Sequence, residues 1–366
     1  MTFQGATSTI RYHLREFMCR AHCGCREACK RQKRFIYHIS PLRLDRRSIV
    51  ASLQYEAFVA PRVCPLAEGR GPGTFFFDER GFATCNIVIR LVYYHQAERS
   101  VDPWRNEVLK IHILGSCSGT EPMPGRHHTA WMLETSGGLY QFDAGENCAW
   151  TAHTTGIDVT ALRALFISHP HFDHVAGFPH LLWTRLKLHN YYKIPLTVEV
   201  LPVFTPEPEQ WAHLAELMVC LRSKQAPVFK AERVVDGEIF DDGAIRVDAL
   251  HNRHLKLPEN GVWRSFSYSI AAEGKRIVYS GDLREAAELD DWFAAGSDLV
   301  LMESGHLKPW ETAAHIREVS GERVRKLVFM HHGRDYLDRP EETAELTRQA
   351  WGEPVVFADD AMTFEI

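Results

Sequence analysis

The 366-residue chain lacks any uninterrupted apolar run near the eighteen or so residues that a membrane-spanning helix needs. Its opening stretch, "MTFQGATSTIRYHLREFMCRAHCGC", also lacks the continuous apolar segment of a secretory signal. A soluble, cytoplasmic protein with no membrane contact is expected. Disulfide-framework spacing is missing too: the nine cysteines are odd in number and irregularly placed, which suits a reducing compartment. No low-complexity tract or short-period repeat is present, which argues against global disorder and against a solenoid. What is there is ordinary for a globular protein, 45% hydrophobic and 24% charged, in a chain long enough for one large domain or two.

Charge divides the chain. Residues 1–107 hold 17 Lys and Arg against 10 Asp and Glu, whereas the rest hold 25 against 37. A basic segment of this kind reads as a solvated surface before it reads as a nucleic-acid arm. The same region carries "CRAHCGCREACKRQKR", whose Cys19, Cys23, Cys25 and Cys29 do not match common zinc-finger spacings, and one clear strand candidate, "CNIVIRLVYY". Residues 1–107 are therefore expected to form a poorly ordered extension rather than a true domain. Deletion of residues 1–105 is expected to leave a stable protein.

From residue 108 the pattern becomes regular. "VLKIHILG", "HTAWMLET" and "GLYQFDAG" read as strands between Gly and Pro turns, and "HVAGFPHLLWTRLKL" and "PEQWAHLAELMVCLRS" as helices, with "LTVEVLPV" a strand between them. "RVVDGEIFDDGAIRVDAL" and "FSYSIAAEGKRIVYSGD" read as hairpins, after which helix and strand alternate to the end. Two successive halves, each β-rich and then mixed, predict an α/β (α+β) fold with two facing sheets and helices outside, a four-layer αββα sandwich over residues 108–366. Cys117, Cys148 and Cys220 fall in strand- or helix-like text, where buried small hydrophobes are expected.

The chemistry concentrates in "SHPHFDH". Chance would place H-x-H-x-D-H somewhere in a chain of this composition with a probability of roughly 0.3%. In a strand-to-loop segment, side chains two apart share a face, so His169 and His171 can grip one ion while Asp173 and His174, displaced around the turn, address a second. An imidazole-rich position beside a mixed N/O position suits zinc, with manganese or iron as alternatives. Two coordination shells need more ligands, preferably at strand ends. "VDALHNRHL" offers His251 and His254, "RIVYSGDLRE" offers Asp282, and "KLVFMHHGRDY" offers His331 and His332.

In the order "LGSCSGTEPMPGR", "FDAGE", "SHPHFDH", "HNRHL", "YSGD" and "FMHH", these motifs resemble the metallo-β-lactamase-fold hydrolases, most closely the ribonuclease Z and phosphodiesterase-like branch. The resemblance implies the metallo-β-lactamase sandwich and two Zn²⁺, with His169, His171 and His254 at the first position and Asp173, His174 and His331 at the second. Asp282 would bridge them. His251 and His332 stand as alternatives to their neighbours. Asp143 in "FDAGE" resembles an aspartate that supports the centre without binding metal, and His306 in "GHLKPWETAAHIRE" a histidine near the scissile phosphate. The chain departs from the pattern in having no Gly- and Pro-rich substrate arm before His254, and "MESGH" stands where transfer-RNA processing enzymes carry a glutamate-containing segment. The implied activity is hydrolysis of a phosphodiester by a metal-bridging hydroxide, with Asp173 orienting it and His306 protonating the leaving oxygen. Hydrolysis of a lactone, thioester or sulfate ester is the alternative, and a nucleic-acid-binding protein with a structural metal the third reading. Nucleic acid is a candidate partner, and a homodimer a candidate assembly.

Overall fold

The computed structural model describes residues 109–366 apart from 212, 215–227, 257 and 259, together with the backbone of four earlier strands. The chain divides into two compact units, Met1–Pro103 and Trp104–Ile366. In the first, β1 (Tyr37–Pro41), β2 (Ile49–Phe58), β3 (Phe75–Phe77) and β4 (Phe82–Leu91) pair antiparallel in the order β1-β2-β4-β3. The strand expected at "CNIVIRLVYY" is part of β4. The four cysteines considered for a zinc knot lie outside the described residues, as do Cys220 and most of the helix expected from Pro208, of which a 3-10 turn, Pro208–Trp211, is seen.

The second unit holds two seven-stranded sheets. The first contains β5 (Lys110–Gly115), β6 (Ala130–Glu134), β7 (Leu139–Phe142), β8 (Leu162–Phe166), β9 (Leu201–Thr205) and β10 (Phe229–Arg233), in reverse order, closed by β18 (Thr363–Glu365) beside β5. The second runs in chain order through β11 (Gly237–Asp241), β12 (Ile245–His251), β13 (Phe266–Ala272), β14 (Lys275–Tyr279), β15 (Leu299–Ser304), β16 (Leu327–His332) and β17 (Val356–Phe357).

Alternation within single strands shows why the sheets face each other. In β6, Trp131 and Leu133 enter the core between the sheets, while Ala130 and Met132 pack outward under helices; in β15, Leu299 and Leu301 point inward, Val300 and Met302 outward. Strands apolar on both faces need cover on both. It comes from α1 (Cys148–Thr154) and α3 (Phe178–Tyr192) on the first sheet, and from α4 (Asp290–Ala295), α5 (Pro309–Ser320) and α6 (Pro340–Trp351) on the second. The result is the expected four-layer αββα sandwich. Cys117 and Cys148 are buried, as expected.

In the second unit two strands differ from the sequence reading, and in the first β1, β2 and β3 had no counterpart in it. The strand expected over "LTVEVLPV" starts only at Leu201, where pairing with Phe229 begins; Thr197 and Glu199 before it are exposed. The closing β18 was not anticipated, being three residues without an alternating apolar pattern. Among the described residues no helix is long and apolar enough to cross a membrane.

Candidate metal centre

The strands β7, β8, β9 and β10 run parallel, and β14, β15 and β16 likewise, so the loops leaving their carboxyl ends gather at one edge of the sandwich. Each sequence-selected ligand lies there: His169, His171, Asp173 and His174 beyond β8, His254 beyond β12, Asp282 beyond β14 and His331 at the end of β16. Between His171 and Asp173 the chain starts a short helix, α2 (Phe172–Val175), which turns Asp173 and His174 inward.

Among the described residues three groups of donor atoms result: two share Asp282, and the third is Glu303, His306 and His331. In the first, His171 Nδ1 lies 3.0 Å from His169 Nε2 and 3.2 Å from His254 Nε2. Asp282 Oδ2 lies 3.6 Å from His169 Nε2 and 3.7 Å from His254 Nε2. In the second, Asp282 Oδ1 is 3.3 Å from His174 Nε2 and 3.2 Å from His331 Nε2. Asp173 Oδ2 is 3.4 and 3.3 Å from the same two nitrogens. A tetrahedral cation with ligands at about 2.0–2.1 Å has donor–donor edges of about 3.3–3.4 Å, so each group has the dimensions of a coordination shell.

Three of the buried donor atoms are otherwise unsatisfied. Neither oxygen of Asp282 nor Nε2 of His174 makes a hydrogen bond of good geometry, although both side chains are shut off from water. Leaving such groups bare costs several kcal/mol, and cations at these positions would relieve it. Residues and group therefore fit.

Electrostatics divide the two groups. Burial pushes the His169 imidazole well below its usual pKa and that of His254 down to about 4, with Asp282 opposing in both; His171 is lowered for the same reason. The first group thus presents neutral imidazoles, the ligating form. In the second, burial acts against charge, but Asp282 and Asp173 outweigh it and raise His331 to about 9. Asp282 overcomes burial mainly through His331 and His174 and stays well below the usual carboxylate range.

The far nitrogens of the imidazoles are held as well. His174 Nδ1 lies 2.8 Å from Asp143 Oδ2, and Ser168 Oγ lies 3.0 Å from His169 Nδ1. Asp143 also accepts from Ser168 N at 2.7 Å, Ser168 Oγ at 2.8 Å and the Tyr279 hydroxyl at 2.6 Å. Tyr279 belongs to the second sheet and Asp143 follows β7 of the first, so this carboxylate both orients a histidine and ties the sheets together under the centre. Gly119 is needed alongside, since a Cβ there would press to 3.0 Å on Asp173 Oδ2.

The two register alternatives have different surroundings. His251 pairs with Asp236 (Nδ1 to Oδ2, 2.7 Å) and stacks on Trp263 at 4.1 Å. His332 lies between Ser304 Oγ (2.9 Å) and the Ala358 carbonyl (2.8 Å), with burial pushing its pKa down to about 3. Neither belongs to a donor group. His306 stands at the lip, its Nδ1 3.6 Å from both Asp282 Oδ2 and Glu303 Oε2.

Glu303 was missed in the sequence reading. It is buried at the end of β15, accepts from the backbone N–H of Gly305 (2.7 Å) and His306 (2.8 Å), and lies 3.8 Å from His331 Nδ1. The available signal was an acidic residue closing the apolar run "LVLME" at a strand end like those that carry the ligands.

Comparison with known proteins places the chain in a family. The family model described as Anti-Pycsar protein Apyc1 matches residues 109–349. Ribonuclease Z of Methanothermobacter thermautotrophicus is 25% identical over 312 residues, covering 71% of this chain and 97% of that protein. Ribonuclease Z of Treponema pallidum (strain Nichols) is 42% identical over 74 residues, 20% of this chain and 24% of that protein. Among solved structures, the metallo-β-lactamase fold protein YhfI of Bacillus subtilis superimposes with a TM-score of 0.55 at 14% identity, covering 71% of this chain and all of that one. Human tRNase Z, short form, gives 0.52 at 19% identity, covering 70% and 98%. The chain belongs to the Anti-Pycsar protein Apyc1 family; it is a metal-dependent hydrolase with the metallo-β-lactamase fold, similar to the ribonucleases Z.

Proposed function

We propose that the protein is a binuclear zinc phosphodiesterase, with His169, His171, His254 and Asp282 holding one ion and Asp173, His174, Asp282 and His331 the other. The observation that carries the reading is Asp282: a buried carboxylate turning one bare oxygen to each of two donor groups of tetrahedral size. Bound there, the cations would supply Lewis acidity toward a phosphoryl oxygen and make water acidic enough to attack at neutral pH.

The remaining work falls to the chain's own groups. Asp173 turns Oδ2 toward His174 and His331 and stays ionised, because these histidines outweigh the effect of its burial. It orients the attacking water and accepts its proton. His306 is half-exposed where a leaving group would depart, and the Glu303 carboxylate, against some desolvation, holds its pKa above the usual value. A proton held there would serve the leaving oxygen. An acid in this place matters for an alkoxide leaving group and little for a thiolate, which favours a phosphodiester over a thioester. The ribonuclease names of the relatives support the same choice.

Metal analysis of purified protein should give about two transition-metal ions per chain, and zinc-reconstituted protein should hydrolyse bis-p-nitrophenyl phosphate in preference to carboxylic, lactone and sulfate esters. His171→Ala should lower that activity at least about 100-fold. Full activity in this variant or in a chelated sample would overturn the reading.

A further inference from the structure

Phe172 is the most exposed large apolar side chain among the described residues, at 83%. Its place is unusual for such a ring. It sits between His171 and Asp173, one candidate ligand of each group, as the first residue of the four-residue α2.

Folding does not account for it. The buried residue of α2 is His174, and Val175 is the one that packs partly against the outer core of the first sheet. Phe172 belongs to no apolar cluster and meets no other ring among the described residues. It also offers the helix no cap, since His171 occupies that position. Its location ties it to the reaction centre instead. Consecutive Cα atoms are about 3.8 Å apart, so the ring is rooted one residue from donors of both groups. Successive residues of a helix are about 100° apart, so with Asp173 and His174 turned inward the ring of Phe172 stands outward on the rim. A flat apolar face on the rim of the site that would hold a phosphate matches a base joined to that phosphate through a sugar, and stacking on aromatic rings is how bases are commonly held without sequence preference.

We propose that Phe172 is a specificity-determining residue: a stacking platform for the nucleobase on the non-leaving side of a nucleoside phosphodiester. This rests on the phosphodiesterase reading above and narrows its substrate class.

The test compares two esters with one leaving group, thymidine 5′-(p-nitrophenyl phosphate) and methyl p-nitrophenyl phosphate, on zinc-loaded protein. Phe172→Ala should lower kcat/KM for the nucleoside ester about 5- to 150-fold and change the methyl ester less than about 2-fold; Phe172→Trp should retain the preference. Tyr191→Ala, which removes a comparably exposed ring (76%) at the far end of α3, should change neither. Binding provides a readout apart from turnover: in calorimetry, Phe172→Ala should weaken thymidine 5′-monophosphate by the same factor and leave methyl phosphate unchanged. Inhibition by that mononucleotide and by a single-stranded oligoribonucleotide, each compared between wild type and Phe172→Ala, tells whether the base comes from a free nucleotide or a strand. Equal losses for both esters, or discrimination that survives Phe172→Ala, would overturn the proposal. Nucleotide binding that depends on Phe172 without turnover of either ester would uphold it and sink the phosphodiesterase reading instead.

Discussion

At the scale of single residues, His251 and His332 each stand near a candidate ligand without joining a donor group. The text "HNRHL" and "FMHH" offers two imidazoles at each strand end, and only packing distinguishes them. His251 meets Asp236 and Trp263, whereas His254 faces His171; His332 is enclosed by Ser304 and Ala358, whereas His331 faces Asp173 and Asp282. The two off-centre histidines should therefore differ in what their loss does. His251→Ala should leave bound zinc and turnover within about 2-fold of wild type, since it removes one half-exposed ion pair and one stack. His332→Ala should lower unfolding stability by about 2–4 kcal/mol, because it empties a buried site and removes one hydrogen bond from each of Ser304 and the Ala358 carbonyl. Metal analysis and chemical denaturation check the pair; loss of zinc in the first variant would contradict the assignment. Glu303 escaped sequence reading because its role depends on Gly305 and His306 folding back over it, a contact that spacing along the chain does not reveal.

At the scale of elements, the central strands could be read directly, because residues that fill two apolar faces leave an unbroken hydrophobic run. The edges could not. β18 is short and polar, and β9 starts where a neighbour is available, so both depend on partners from distant sequence. The turn between β11 and β12 has a further role. Asp242 in this turn of the second sheet accepts from the Tyr140 hydroxyl of β7 at 2.7 Å and pairs with Arg163 of β8 at 2.8 Å, both in the first sheet. It also accepts from the N–H groups of Ala244 and Ile245. Burial opposes its ionised form, but Tyr140, those amides and Arg163 prevail and depress its pKa. A depressed carboxylate stabilises the fold above its unfolded pKa of about 3.9, and the contribution is lost as pH falls through the folded value. Asp242→Ala should then cost about 1–3 kcal/mol at pH 7, with the difference from wild type shrinking below about pH 4. Denaturant titrations at the two pH values test this, and a constant difference would count against it.

At the scale of the whole molecule, the sandwich places the carboxyl ends of both sheets along one edge, and the recurrence of ligand-type residues after apolar runs allowed that edge to be expected. The pinning of the sheets beneath it, by Tyr279 on Asp143 and the Tyr268 hydroxyl on the Ile167 carbonyl, could not be expected from the same text. A centre built from both halves makes ion binding a contribution to global stability. Chelation should lower the Tm by about 5–10 °C, following the roughly 2.7 kcal/mol that a ligand contributes at a hundredfold excess over its Kd. An unchanged Tm on complete metal removal would show that the halves do not need the ions. Because the two oxygens of Asp282 face different groups, the proposed pair of ions would be reciprocally linked: the ion arriving second would meet a carboxylate whose charge is already engaged, and would bind on different terms from the first. Thermal stability regained on adding zinc back should accordingly rise in two unequal steps, and a half-filled centre is a distinct chemical species, not an average of the empty and the full.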